Sequence, residues 1–298
     1  MIPLAMVNGY SLLLSELSTR ALVDLQRTIG PVLDASPEVK QRTMRDLLPV
    51  LGDQYAGMTS LISAQFFTEL QQVLEVRNPV DAQSLAGAGS DRWSSLAGWA
   101  SRPAVFEQGG NALMFSLLSG GLTRILTSMA ADTMIGNAEA QGGMGYQRVP
   151  KPGCCAFCGM LASRGAAYTS RDSAGTVVGR GVPLEKTKGR RGGQGRGINP
   201  RGSRRLGESF HDHCRCAVVA VTPQNAVQMQ ADADRYLDTY RKGYEQAQDG
   251  KIWVPAQRTQ DGSRSGTGHW ETPIGEKSSP KDRTSQVLQY MRAELGVK

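Results

Sequence analysis

Aromatic residues make up only 6% of the 298-residue chain. So few large rings leave little material for a globule built on aromatic anchors, and favour helices packed through Leu, Ala and Met. Long apolar runs are also missing. Nothing approaches the roughly 18 consecutive apolar residues that a membrane helix needs, and the longest dry run near the middle is Ala217–Val221. The start, Met1-Ile2-Pro3-Leu4, carries no basic leader and runs into a Ser/Glu/Arg-bearing amphipathic pattern, unlike a secretory signal. The expectation is a soluble protein made and kept in a cytoplasm.

What is there is ordinary in total and uneven in placement. Hydrophobic residues are 40% and charged residues 20%, as in a folded protein of one large domain or two modest ones. The formal net charge is +7, yet residues 1–150 carry 10 Lys/Arg against 13 Asp/Glu, residues 151–216 carry 13 against 4, and residues 217–298 carry 11 against 10. The basicity therefore belongs to one local surface. All five cysteines, Cys154, Cys155, Cys158, Cys214 and Cys216, fall in the same middle segment.

Helical periodicity dominates the first half. Over residues 11–29, Leu13, Leu14, Leu17, Ala21, Leu22, Leu25 and Ile29 recur at spacings of three and four, and Gly30-Pro31 stops the pattern. Ser36-Pro37-Glu38 offers an N-cap with proline at the first helical position, and a stripe from Met44 to Val73 carries the helix to about Asn78. Pro49 is expected to kink or divide it. Residues 79–103 read as a Gly/Ser/Ala-rich connector with one short helix, pinned to the core by Trp93 and Trp99. Another stripe, Met114, Leu118, Leu122, Ile125, Met129 and Ile135, runs toward Gly142-Gly143, with Gly120-Gly121 marking a bend or a close helix contact.

Past Gly145 the pattern changes to short β-prone segments at 146–149, 176–178 and 216–221. A polar helix follows over 224–248, bearing Val227, Tyr236, Leu237, Tyr240 and Tyr244. Then come a Gly/Ser/Pro-rich tail and a last helix over 284–295 whose Val287, Leu288, Met291 and Leu295 share one side. No internal repeat is present. The predicted fold is mainly α with a small α+β zinc-knuckle segment: long N-terminal helices, short strands around residues 146–222, and C-terminal helices. Its expected divisions are an N-terminal helical region (1–103), a central domain with the Cys/His cluster (104–222), and a C-terminal helix with an extended tail (223–298).

Cys155-Ala156-Phe157-Cys158 forms a Cys-x-x-Cys knuckle, and much later comes His211-Asp212-His213-Cys214-Arg215-Cys216. Two thiolates two residues apart can grip one ion from a single tight turn, and a second turn bearing His and Cys completes a tetrahedron suited to zinc. Cys155, Cys158, His211 and Cys214 are the preferred set. Cys216, two along from Cys214, would share its strand face and could replace it. A closed set argues for a structural ion and against an enzyme, since a catalytic zinc keeps an open position. Its binding, on the order of 10 kcal/mol, would fasten two distant loops of a segment with little core. The same residues admit a thiol protease or redox reading, with Cys158 or Cys155 as nucleophile and His211 or His213 as base. No local signature around the cysteines supports it.

Between the two motifs, Arg180, Lys186, Lys188, Arg190, Arg191, Arg196, Arg201, Arg204 and Arg205 face only Glu185 within residues 180–206. Interspersed glycines leave the backbone adaptable, so guanidinium groups could follow phosphates without a preformed groove. The competing readings are a loop that meets an acidic protein face and a solvated loop without a partner. A free-standing zinc regulator of nucleic acid is disfavoured, because no recognition helix with base-reading residues stands out.

The run Arg148-Val149-Pro150, Cys155-Ala156-Phe157-Cys158, residues 159–165 and the closing His211-Asp212-His213-Cys214-Arg215-Cys216 resembles the Mu F-like minor head proteins of tailed phages, particularly those of actinobacterial phages. In that family a Cys-x-x-Cys precedes a His-x-x-Cys-Arg-Cys element, and the likeness covers roughly residues 120–222. The resemblance places Cys155, Cys158, His211, Cys214 and Cys216 at the family's motif positions. It implies a minor capsid protein inside the head near the portal vertex, acting in head assembly and in DNA packaging or ejection. The implied partners are the portal protein, the capsid interior and, through the basic loop, packaged DNA; no membrane or small-molecule substrate is implied. Some members carry the label of maturation protease, so a Cys-dependent capsid maturation protease is the alternative. The basic insertion is longer than in shorter members, and its role is not inherited.

Overall fold

The computed structural model describes residues 2–102, 110–142, 144–150, 155–163, 165, 216–254, 268–272 and 280–296. Among them the chain is mainly helical, with a few short strands.

The first helix, α1 (Leu4–Ile29), starts earlier than the apolar spacing alone predicts, directly after Pro3. Val7 and Tyr10 extend the buried stripe toward that end. Tyr10 stacks on Phe66 at 4.1 Å between centroids and donates its hydroxyl to Ser63 Oγ at 2.8 Å. Burial drives its phenol pKa upward against the opposing pull of that hydrogen bond.

A 3-10 turn (Gly30–Val32) leads to α2 (Pro37–Val73), which opens on the predicted cap, Ser36 Oγ accepting from Val39 N. Pro49 does not divide this helix. A helix-interior proline loses one hydrogen bond and clashes with the preceding turn, at about 3 kcal/mol. Here the buried face runs unbroken on both sides of it, through Met44 and Leu48 before and Gly52, Tyr55 and Ala56 after, so packing along the whole helix outweighs that local penalty.

Residues 79–89 have no regular structure, and side chains of α2 and of the helix over Gly110–Gln141 answer their backbone. Gln71 both donates to Val80 O and accepts from Val80 N at 3.0 Å, and Asn137 does the same for Gln83 at 2.9 and 2.7 Å. Asp53 Oδ1 accepts from Ala88 N at 2.9 Å and from the Trp93 indole at 2.7 Å. The peptide groups of this run thus find partners without a strand or helix.

Helix α3 (Ser90–Ala100) follows. Trp93 is fully buried, whereas Trp99 is 43% exposed, so one tryptophan pins the segment rather than two. Two glycines make room for α3. A Cβ on Gly52 would stand 2.6 Å from the Trp93 ring, and one on Gly121 would overlap Leu96 Cδ1. Gly121 therefore marks a close helix contact.

Helix α4 (Gly110–Gln141) is the central element, buried on nearly every side from Met114 to Ala138. By length and composition it is apolar enough to cross a membrane, but 67% of its most apolar window is buried inside the protein. Its first half packs with α3 and the facing halves of α1 and α2 around Trp93, Leu118 and Leu122. Its second half meets the opposite halves of α1 and α2 around Phe67, Met134 and Val219. Both cores are shared across the expected division at residue 103.

The chain then forms β1 (Gly145–Val149), α5 (Ala156–Ala162), β2 (Ala217–Val221), α6 (Ala226–Gln248), β3 (Ile252–Val254), β4 (His269–Glu271) and α7 (Pro280–Glu294). Strands β1 and β2 pair antiparallel from Gly145↔Val221 to Val149↔Ala217. All five residues of β2 are buried, which accounts for an unbroken apolar run in place of alternation. Val227, counted on the apolar side of α6, is 84% exposed; the buried side is formed by Met229, Ala233, Tyr236, Gly243 and Ala247. The expected extended tail instead contains the β3–β4 hairpin, with Trp253 opposite Trp270. The expected strand at 176–178 lies outside the described residues.

Candidate metal centre

The β1–β2 ladder closes the neck of the long segment that carries both motifs. Val149, where β1 ends, is the register partner of Ala217, where β2 begins. In sequence Cys155 stands six residues after Val149, and Cys214 three and His211 six before Ala217, so both motifs leave from the same end of one buried ladder. Antiparallel partners keep their Cα atoms about 4.5–5.5 Å apart.

Beyond the neck, the knuckle folds as the start of α5. Cys155 is its N-cap in extended conformation, its Sγ accepting from Cys158 N at 3.4 Å. The two sulfurs lie 3.5 Å apart. Thiolates each about 2.3 Å from one tetrahedral zinc would stand about 3.8 Å apart, so the knuckle geometry fits two ligands of a single ion. Cys158 is 2% exposed and Cys155 is half-buried.

Cys216, directly before β2, is buried in the same core as Cys158. It lines a cavity of about 10 Å³ with Ser15, Ser18, Thr59 and Thr127, between α1, α2 and α4. Among the described residues no group of three His, Cys, Asp or Glu side chains gathers at a spacing that could hold a metal. His211 and Cys214 lie outside the described residues, as do Cys154 and the whole basic loop from Arg180 to Arg205. The structure thus brings Cys155 and Cys158 together, and places Cys158 and Cys216 in one buried cluster against which Cys155 packs.

One feature of this end was missed by the sequence reading: α5 has helices on its far side. Ala156, Ala247, Val287 and Met291 form a separate small core, edged by Met160, Tyr240, Trp270, Leu288 and Leu295. The available signal was the pair Ala156 and Gly159, small residues three apart on a short helix, where backbones can approach. On the strand side, the buried Gln147 donates to Met229 O at 2.7 Å and so ties β1 to α6.

Comparison with known families decides the relationship, for the profile of the VG15 protein family matches residues 1–243. The chain belongs to the VG15 protein family. It is a phage-encoded protein. The match takes in the helical body, the β1–β2 ladder, the knuckle and most of α6, and stops short of the hairpin and α7. No match to the chain was found among curated proteins or among solved structures.

Proposed function

We propose that this protein is a minor capsid protein inside a tailed-phage head, associated with the portal and acting in head assembly and in DNA packaging or ejection. The observation that carries the proposal is the neck: a buried ladder from whose one end both halves of the Cys/His cluster depart, one of them already presenting two sulfurs 3.5 Å apart. That arrangement suits an inert zinc staple of Cys155, Cys158, His211 and Cys214, of the kind the Mu F-like resemblance implies. Membership of a phage family supports the setting.

The role is architectural. In sequence, nine basic residues and one acidic residue lie between 180 and 206, in the stretch between the two Cys/His motifs. If about six of those cations neutralise phosphates, DNA binding weakens with salt at a log–log slope of about −5. Burial of Cys158 at 2% exposure supports the staple over a nucleophile, which must reach a substrate carbonyl.

The test uses particles. Mass spectrometry of purified virions is expected to find the protein in few copies per head, and phage bearing Cys155→Ser with Cys158→Ser should assemble defective heads with normally processed head proteins. Absence from intact particles contradicts the reading. Accumulation of unprocessed head proteins, with the variant still folded, favours a Cys-dependent maturation protease instead.

A further inference from the structure

The knuckle helix is too short to orient itself. Seven residues make two turns, and a helix of that length is not stable alone because nucleation is costly. Its pose is therefore set by what presses on it. One side, through Cys158, enters the core around β2 and α4. The other side meets α6 and α7 at backbone distance: a Cβ on Gly159 would stand 3.0 Å from the Tyr236 ring and 3.5 Å from Met291 Cε.

Helix α7 is itself held firmly. A Cβ on Gly243 of α6 would stand 2.7 Å from Tyr290 and 3.4 Å from Val287. Trp253 N donates to Gln286 Oε1 at 2.7 Å, and the Trp253 ring meets Tyr290 edge-on at 5.0 Å and Trp270 at 5.4 Å. The hairpin and α7 thus form one piece, from which Val287 and Met291 close over Ala156.

We infer that this C-terminal piece, which lies beyond the family-matched residues, locks the Cys155–Cys158 turn in its ligating pose and sets how tightly the ion is retained. Met291 is a positioning residue that touches the back of the ligand-bearing helix. The inference rests on the zinc-staple reading proposed above. Residues that orient ligands commonly change metal affinity by about 10- to 100-fold when replaced.

The experiment takes full-length, zinc-loaded protein and follows two rates: zinc release to a chromophoric chelator, and alkylation of Cys155 and Cys158 by iodoacetamide, read by peptide mass spectrometry. Met291→Ala is compared with Leu118→Ala, a cavity placed in the core around Trp93 and chosen to lower the melting temperature as much or more. The expected result is zinc release at least about tenfold faster in Met291→Ala than in Leu118→Ala, with faster labelling of both thiols. Equal rates in the two variants overturn the inference. If the wild-type protein carries no zinc, the staple reading fails separately, and labelling alone decides: faster alkylation in Met291→Ala upholds the lock, and unchanged alkylation removes it.

Discussion

The body made of α1 to α4 and the cysteine-bearing end are stabilised by different means. The body buries large side chains in two cores, among them Trp93, Phe67, Leu48, Leu118 and Leu122. The end behind α5 has a core of Ala156, Ala247, Val287 and Met291, two of which are alanines. Apolar burial stabilises by about 25 cal/mol per Å², so the far side of α5 gains less that way than the body, whose second core its near side enters through Cys158. Close backbone approach and, in our proposal, a metal ion make up the difference.

Metal removal should separate the two regions most. Stripping the ion withdraws a contribution on the order of 10 kcal/mol, and amides of α5 should then exchange with solvent far faster while those of α4 keep their protection. Equal loosening of both regions would show that the contrast is unfounded.

Trp93→Ala strikes the other side of it. The ring is fully buried and its indole donates to Asp53, so the body should lose about 3–5 kcal/mol in urea unfolding while the zinc content of the folded fraction stays unchanged. A smaller loss, about 1–3 kcal/mol, is expected for Gly121→Ala, whose Cβ would run into Leu96. Leu96→Ala in the same chain should relieve part of the overpacking, although it leaves its own cavity. A Gly121→Ala protein as stable as the parent would mean that α3 and α4 do not approach so closely.

The smallest effect concerns the first turn of α2. Its own backbone N–H, and then the Ser36 hydroxyl, hold the Glu38 carboxyl below its usual value of 4.5. A depressed folded-state pKa contributes stability above the unfolded pKa and loses it as pH falls through the lower folded value. Amide exchange at Val39 should therefore quicken as pH drops below about 4.5, after correction for intrinsic rates. In Glu38→Gln that pH dependence should vanish.

Much of the body was legible because periodicity is local. The stripe from Met44 to Val73 and the cap Ser36-Pro37-Glu38 specify α2, and the apolar run ending at Val221 specifies β2. What escaped depends on distant partners. Pro49 is tolerated because packing continues past it, which spacing does not reveal. The order of residues 79–89 comes from Gln71, Asp53 and Asn137, polar residues that look like surface until the peptide groups they serve are known. The hairpin at Trp253 and Trp270 spans three residues per strand, too few for alternation to register. At the candidate site, the Cys-x-x-Cys turn was readable from spacing alone, whereas the burial of Cys216 among α1, α2 and α4 needed the helices around its cavity.

The central claim is that two distant stretches of chain meet on one ion. Elemental analysis of the purified protein tests it directly: the account predicts one zinc per chain, lost in Cys155→Ser, Cys158→Ser and Cys214→Ser and retained in Cys216→Ser. Protein that folds and carries no metal, or that keeps its metal without Cys155 and Cys158, would contradict it.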